Sequence, residues 1–501
     1  MNPLIPICIP LAATLGIRLA DRWPNLREGV TLSAALALLA TVALGIAPGV
    51  LDPARGAPRW EGPELVGGLR LVLSVEPLGL LYALVAAVLW IPNSVYSIGY
   101  MRGHHERNQT RFYICFALAI SSVMGIAFAG NLFTLFVFYE ALSVVTFPLV
   151  THHGSPEARR SGRIYAGILF GTSMLFFLLA IVGTHALTGR MDFAPGGILS
   201  AIPRPTQGLL LVLFALGIGK AALMPFHFWL PAAMVAPTPV SALLHAVAVV
   251  KAGVFCVLKV SVYVFGLDLV ALHGDWLTYL ASFTVLAASL IALQQDNLKA
   301  RLAYSTVSQL GYIVLGAALG TRLGIVGGGM HVAMHAFGKI TLFFCAGAIY
   351  VATGKTRVSQ LTGLGRRMPL TFLAFFVATL SIIGLPPLGG AWSKWYLALG
   401  ALESKHPALI AVFLISSLLN VAYLLPISIR AFFVPPDEAA AAGGHGHGHG
   451  HGHGHGHGHG ERGVAEAPWP CVGALLFTAA GSVALFFNPG PLLRLMELVV
   501  P

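Results

Sequence analysis

Charge is scarce in this chain: only 10% of its 501 residues are Asp, Glu, Lys or Arg, while 56% are apolar. With a mean hydropathy of +0.80, that balance excludes a soluble globule and makes lipid the solvent for most of the polypeptide. Cysteine is equally sparse. Cys8, Cys115, Cys256, Cys345 and Cys471 lie far apart with no C-x-x-C pair, so neither an iron–sulfur cluster nor a zinc site is signalled, and they read as buried small hydrophobes. No G-x-G-x-x-G follows a strand and no Walker A sequence occurs; Gly217-Ile218-Gly219-Lys220 resembles a fragment of one inside an apolar stretch. Basic residues outnumber acidic ones, 30 to 19, yet no basic stripe with interleaved aromatics exists, which excludes nucleic acid as a partner. No cofactor and no metal is expected, and redox chemistry or nucleotide hydrolysis coupled to this chain must reside elsewhere.

Long apolar runs fill the sequence. A spanning helix needs roughly 20 such residues, and about fourteen stretches qualify: 2–20, 30–48, 72–100, 111–128, 131–150, 163–188, 206–230, 238–266, 274–294, 301–320, 324–353, 370–401, 407–434 and 469–487. The first lacks a basic leader and carries Pro3, Pro6 and Pro10, so it reads as a retained span and not as a cleaved signal. Odd-numbered loops hold most of the loop Arg and Lys, among them Arg102, Arg159, Arg160, Lys299 and Arg366. Basic residues accumulate in cytoplasmic loops, so this predicts a cell inner membrane location with both termini periplasmic. The sequence divides into residues 1–110 (three helices), 111–266, 274–434, a loop at 435–468 and a last helix within 469–501. Alternating His and Gly from His445 to His459 make that loop low-complexity, and glycine at every second position argues for a flexible cytoplasmic segment over a structured metal site.

The few charges inside the spans are informative. Lys220 is the only formal charge between Arg204 and Lys251, Lys339 the only one between Arg322 and Lys355, Lys394 the only one between Arg367 and Glu403, and Glu140 the only one between Arg111 and Glu157. An ionised group at the bilayer centre costs at least about 2.5–3.5 kcal/mol, so each is expected to face the bundle interior with a partner. Lysine is the informative type, because arginine effectively never releases its proton whereas a desolvated lysine can. A static ion pair with snorkelling lysines is the alternative, and Lys259, near a helix end, is read that way. His331, His335 and Lys339 repeat every four residues and share one helical stripe; imidazole can accept at one nitrogen and donate at the other. His227 alone reads as a core histidine. His245 and Lys251, six positions apart, do not share a face, and spacing does not say which joins the stripe. Pro225 and Pro231 after Lys220, and the run Gly384-Leu385-Pro386-Pro387-Leu388-Gly389-Gly390 before Lys394, should break both helices, as membrane ion pathways often require.

Four segments carry a resemblance: Asn131-Leu132-Phe133 with Tyr139-Glu140-Ala141-Leu142-Ser143, residues Gly219 to Pro231, Pro237 to His245, and Leu302 to Tyr312. Over roughly residues 70–430 the chain resembles the antiporter-like, proton-conducting subunits of respiratory complex I, multi-subunit cation/proton antiporters and membrane-bound hydrogenases. The resemblance implies an ion pair of Glu140 with Lys220 in a first half-channel. It further implies a bridge through Lys251 or His245 and through His331, His335 and Lys339 to a second half-channel, and a terminal group at Lys394. The expected fold is an all-α membrane protein of about fourteen transmembrane helices with two inverted repeats and discontinuous helices 7 and 12. The implied partners are other membrane subunits of a multi-subunit complex, the lipid bilayer and protons. A sodium-selective carrier and a non-conducting scaffold are the alternatives.

Overall fold

The structure is a computed structural model describing residues 1–435 and 464–500; the His445–His459 run lies outside the described residues. Among the described residues, ten helices are long and apolar enough to cross a membrane. They are α2 (Pro24–Leu51), α3 (Pro77–Gly103), α4 (Gln109–Ala127), α5 (Leu132–Val150), α6 (Pro156–Thr188), α8 (Thr238–Phe265), α9 (Asp275–Gln294), α11 (Arg322–Thr353), α13 (Ala408–Phe433) and α14 (Trp469–Phe487). Between them lie α1 (Ile5–Leu19), α7 (Arg204–Gly217), α10 (Leu298–Ala318) and α12 in two pieces, Pro369–Ile383 and Gly390–Glu403. Helices α3, α8 and α11 form the centre: the most apolar stretch of α8 is 100% buried and that of α11 94%. That all-round burial is why both read as uninterrupted hydrophobic runs.

The all-α expectation needs one correction. Residues Arg59–Val66 (β1) and Leu69–Ser74 (β2) form an antiparallel hairpin, turned by Gly67 and Gly68, both at positive φ (55° and 82°), where glycine has no Cβ to clash. The third expected span, placed at 72–100, therefore starts instead at Pro77. A Gly-Gly pair between two short runs is a hairpin signal, masked here by the apolar residues of β2 that run on into α3. The hairpin is tied to the α4–α5 turn: Ser74 N–H donates to Phe128 O (2.8 Å), Gly130 N–H to Val72 O (2.8 Å) and Asn131 Nδ2 to Arg70 O (3.0 Å).

Helices α7 and α12 are discontinuous, as the prolines and glycines predict. After Gly217 the chain makes a single tight turn, Gly219–Ala221, and regains helix only at Trp229–Ala232. Its freed backbone groups find protein partners, which is the condition for irregular backbone at membrane depth. Trp229 Nε1 donates to Gly219 O (3.1 Å), Lys220 N–H to the Tyr139 hydroxyl (3.1 Å) and Met224 N–H to Thr284 Oγ1 (3.2 Å). At the second break Gly384 takes φ +91° and Gly389 N–H donates to Ser482 O on α14 (3.0 Å).

Candidate functional site

Lys220 lies within the α7 break, fully buried. Its ammonium donates to Tyr139 O (2.8 Å) and Ser143 Oγ (2.7 Å) on α5 and stands 3.2 Å from the Tyr139 ring centroid, a close cation–π contact. Helix α8 presses on the same break. A Cβ on Gly253 would come within 2.2 Å of the Lys220 carbonyl carbon, so only glycine allows this approach. The expected ion pair with Glu140 is not made. Among the described residues, no salt bridge joins the two, and both Glu140 carboxylate oxygens lack a hydrogen-bond partner. The physical reason is geometric: Tyr139 and Ser143, one turn apart on α5, take the ammonium, and Glu140 stays within Coulombic reach of it without touching it.

Two helices meet at the next lysine. Lys251 Nζ lies 2.6 Å from His335 Nδ1, joining α8 to the histidine stripe of α11. His335 stacks on His331 (centroids 5.7 Å apart). His331 Nδ1 is 2.8 Å from Ser393 Oγ and its Nε2 3.2 Å from Gln309 Oε1. Lys339, a turn beyond His335, donates to Ser305 Oγ (2.6 Å) and Leu302 O (3.3 Å) on α10. His245 also meets α11, its ring 4.7 Å from that of Phe343, but neither of its nitrogens has a partner among the described residues. Both His245 and Lys251 reach α11 despite their spacing, because a wider π-type turn over Leu243–Val247 interrupts the regular period of α8.

The last lysine folds back on its own helix. Lys394, in the second piece of α12, donates to Ile383 O at the end of the first piece (2.8 Å) and to Ser417 Oγ on α13 (3.1 Å). A helix C-terminus carries partial negative charge and suits an ammonium. Tyr312 links this lysine to the histidines, its ring 4.8 Å from Lys394 Nζ and 5.7 Å from the His331 ring. Around the buried lysines Lys220, Lys251 and Lys339 and the half-buried Lys394, every hydrogen-bond partner among the described residues is a carbonyl, a hydroxyl or an imidazole, never a carboxylate.

Lys259 differs. It does not snorkel but is fully buried, paired with Glu76 at 3.0 Å and donating to Ala129 O at 2.6 Å. Glu76 directly precedes Pro77, and the β-hairpin places it there. Sequence reasoning missed this acid, as it missed Ser393 and Ser417, since single hydroxyls in apolar helices carry no distinguishing pattern; Ser305, Gln309 and Tyr312 stand in the quoted Leu302-to-Tyr312 motif without a role assigned to them. Tyr139 and Ser143 stand in the quoted Tyr139-to-Ser143 motif.

A many-helix membrane protein with two broken helices and a buried file of lysines and histidines between them defines the class: an antiporter-like membrane protein of the kind built into larger complexes. Its relatives agree. The family described as NADH:quinone oxidoreductase/Mrp antiporter, transmembrane, matches residues 129–420, and the chain belongs to that family. It is 36% identical to NADH-quinone oxidoreductase subunit N of Desulforudis audaxviator over 86% of this chain and 85% of that one. It is 35% identical to a probable K(+)/H(+) antiporter subunit of Rhizobium meliloti over 68% of this chain and only 34% of that longer protein. The fold matches a chain of the Mrp complex from a Dietzia species (TM-score 0.79, 24% identity, 99% of this chain and 95% of that one). It equally matches a chain of the archaeal membrane-bound sulfane sulfur reductase (TM-score 0.79, 23% identity, 99% and 96%).

Proposed function

We propose that this chain is a proton-translocating subunit of a multi-subunit respiratory or antiporter complex in a cell inner membrane, crossing it fourteen times with both termini outside. In this reading residues 111–266 and 274–434 are two inverted half-channels. A proton enters from the cytoplasm to Lys220, passes along Lys339, Lys251, His335 and His331, and leaves from Lys394 to the outside. The observation that carries the reading is the file of Lys220, Lys251, Lys339 and half-buried Lys394, which have no carboxylate partner among the described residues. A fixed ammonium buried without a counter-ion is costly, whereas a lysine held by neutral hydroxyls, carbonyls and imidazole can lose and regain its proton. Lys251 and His335 are two bases in direct contact, and one proton passed between Nζ and Nδ1 moves charge from α8 to α11 without any change of fold. Glu140 acts as the gate: its approach to Lys220, driven by neighbouring subunits, favours the charged lysine, and its withdrawal releases the proton.

The sodium alternative would need oxygen atoms converging on an open point, whereas the oxygen pairs at Lys220, Lys339 and Lys394 each already hold an ammonium. The test is Lys220→Met and Lys220→Arg in the assembled complex, reconstituted in vesicles. Both are expected to abolish coupled translocation, the second because arginine does not cycle its proton. Full pumping by the arginine variant would end the carrier role, and full pumping by both would support a scaffold.

A further inference from the structure

Beyond the lysine file lies a second line of buried polar groups, between α3, α8 and α11. At its surface end, between the α3–α4 turn and the α5–α6 turn, three imidazoles surround one carboxylate. Glu106 is 3.3 Å from His104 Nδ1, 3.7 Å from His153 Nδ1 and 3.9 Å from His152 Nε2, beside a cavity of about 420 Å³. Both turns are odd-numbered loops, on the basic face. His104 stacks on Tyr100 one turn further into the membrane (6.0 Å, 12°). The Tyr100 hydroxyl accepts from Thr238 Oγ1 at 3.5 Å, which crosses from α3 to the first turn of α8. Thr238, Ser241 and His245 then follow at i, i+3 and i+7, all buried.

The inner part of this line is unsatisfied. Among the described residues, Ser241 Oγ and both nitrogens of His245 have no protein partner, and on α3 neither does the Asn93 amide, which shares the face of Tyr100 and His104. Buried polar atoms are nearly always hydrogen-bonded, to protein or to ordered water, and a run of orphans along one seam is what a file of waters would satisfy. His245 is also where the seam meets the lysines. It lies within Coulombic reach of Lys339 and of Lys299, and Lys299 in turn within reach of Glu106.

We infer that the seam Tyr100–Thr238–Ser241–His245 is a second, water-filled proton entrance that connects the Glu106–histidine cluster on the cytoplasmic face to the centre of the lysine file and works alongside the essential entry at Lys220. The inference rests on the proton-translocating reading above. The exposed imidazoles of His104 and His153 and the Glu106 carboxylate between them collect protons from bulk solvent, hydroxyls and water pass them, and His245, able to accept at either nitrogen, delivers them to Lys339 and the Lys251–His335 pair.

Access and transport are tested separately, so that failure here is distinguishable from failure of the translocation reading. Ser241→Cys is treated with 2-aminoethyl methanethiosulfonate in membrane vesicles of both orientations, beside Val240→Cys on the neighbouring face and the unaltered chain as background. Modification from the cytoplasmic side at least tenfold faster than in the Val240→Cys control is expected. A rate equal to the control, or access from the outside only, overturns the entrance, whatever the transported ion. In reconstituted vesicles Ser241→Val and Tyr100→Phe are expected to slow proton translocation about tenfold. Unchanged rates in both, with Lys220→Met inactive, would leave the translocation reading standing and overturn the seam as a proton route.

Discussion

Lys251 Nζ and His335 Nδ1 stand 2.6 Å apart across the interface of α8 and α11, 84 residues apart in sequence. With two basic groups at that distance, only one can hold the charge comfortably, and each sets the proton affinity of the other.

Lys251→Met and His335→Phe are each expected to lower translocation about 10²-fold, the scale typical of removing one positioned proton carrier. The double variant should be little worse than either single, because the second change removes a group already without its partner. Losses that multiply would show that the two act in separate routes. His245→Phe, which leaves the pair intact, should be milder.

Glu140 makes no salt bridge with Lys220 in this structure. Coupling between them is therefore expected in transport and not in the stability of the isolated subunit. Glu140→Gln should reduce translocation at least tenfold, and combined with Lys220→Met it should be no worse than the lysine change alone. Melting temperatures of the four proteins should be additive within error. A strong stability coupling would mean that the resting state is the ion pair after all.

The Glu76–Lys259 pair is static by contrast, tying the start of α3 to the end of α8. Breaking a buried pair by removing one partner costs about 3–5 kcal/mol because the other charge is stranded. Lys259→Met and Glu76→Gln should each lower the thermal stability of the purified subunit in detergent, and the double variant should regain most of that loss. Equal damage in the double would mean that packing around the lysine stem matters more than its charge.

His152 lies in the turn after α5, where burial, then the Arg111 guanidinium and His153, push its imidazole down from its ordinary value to about 4. The folded protein thus refuses a proton that the unfolded chain accepts below about pH 6.5. Its contribution to stability is full above that value and is lost as pH falls toward 4. Thermal stability measured from pH 7 to 4.5 should decline, and His152→Gln should flatten the slope by about one proton. An unchanged slope would show that His152 takes up its proton in the folded state.

Much of the architecture is legible in one dimension. Burial in lipid is dictated by uninterrupted apolar runs, a helix break by proline and glycine inside one, and the positions of the central titratable groups by single lysines where no other charge occurs. Each of these is a local property, and the breaks of α7 and α12 follow from it directly. The hairpin is hidden because β2 runs apolar into α3. Lys259 reads as a snorkelling residue because its nearness to a helix end is local, while its partner Glu76 is not.

What only the tertiary structure decided is which atoms satisfy each buried charge. Lys220 meets Tyr139 81 residues away, Lys251 meets His335 84 away, and Lys259 meets Ala129 130 away. Sequence demanded that an ammonium in an apolar span be satisfied, and for Lys220 the Glu140 carboxylate was the expected answer. Helix packing supplied carbonyls, hydroxyls and an imidazole to the lysine file instead, and reserved the carboxylate for Lys259. The reason is that hydrogen-bond partners at membrane depth are set by which helix faces touch. The close approach of α8 to the α7 break over Gly253 and the altered phase of α8 at its π-type turn fix those faces, and neither is visible in the spacing of residues along the chain.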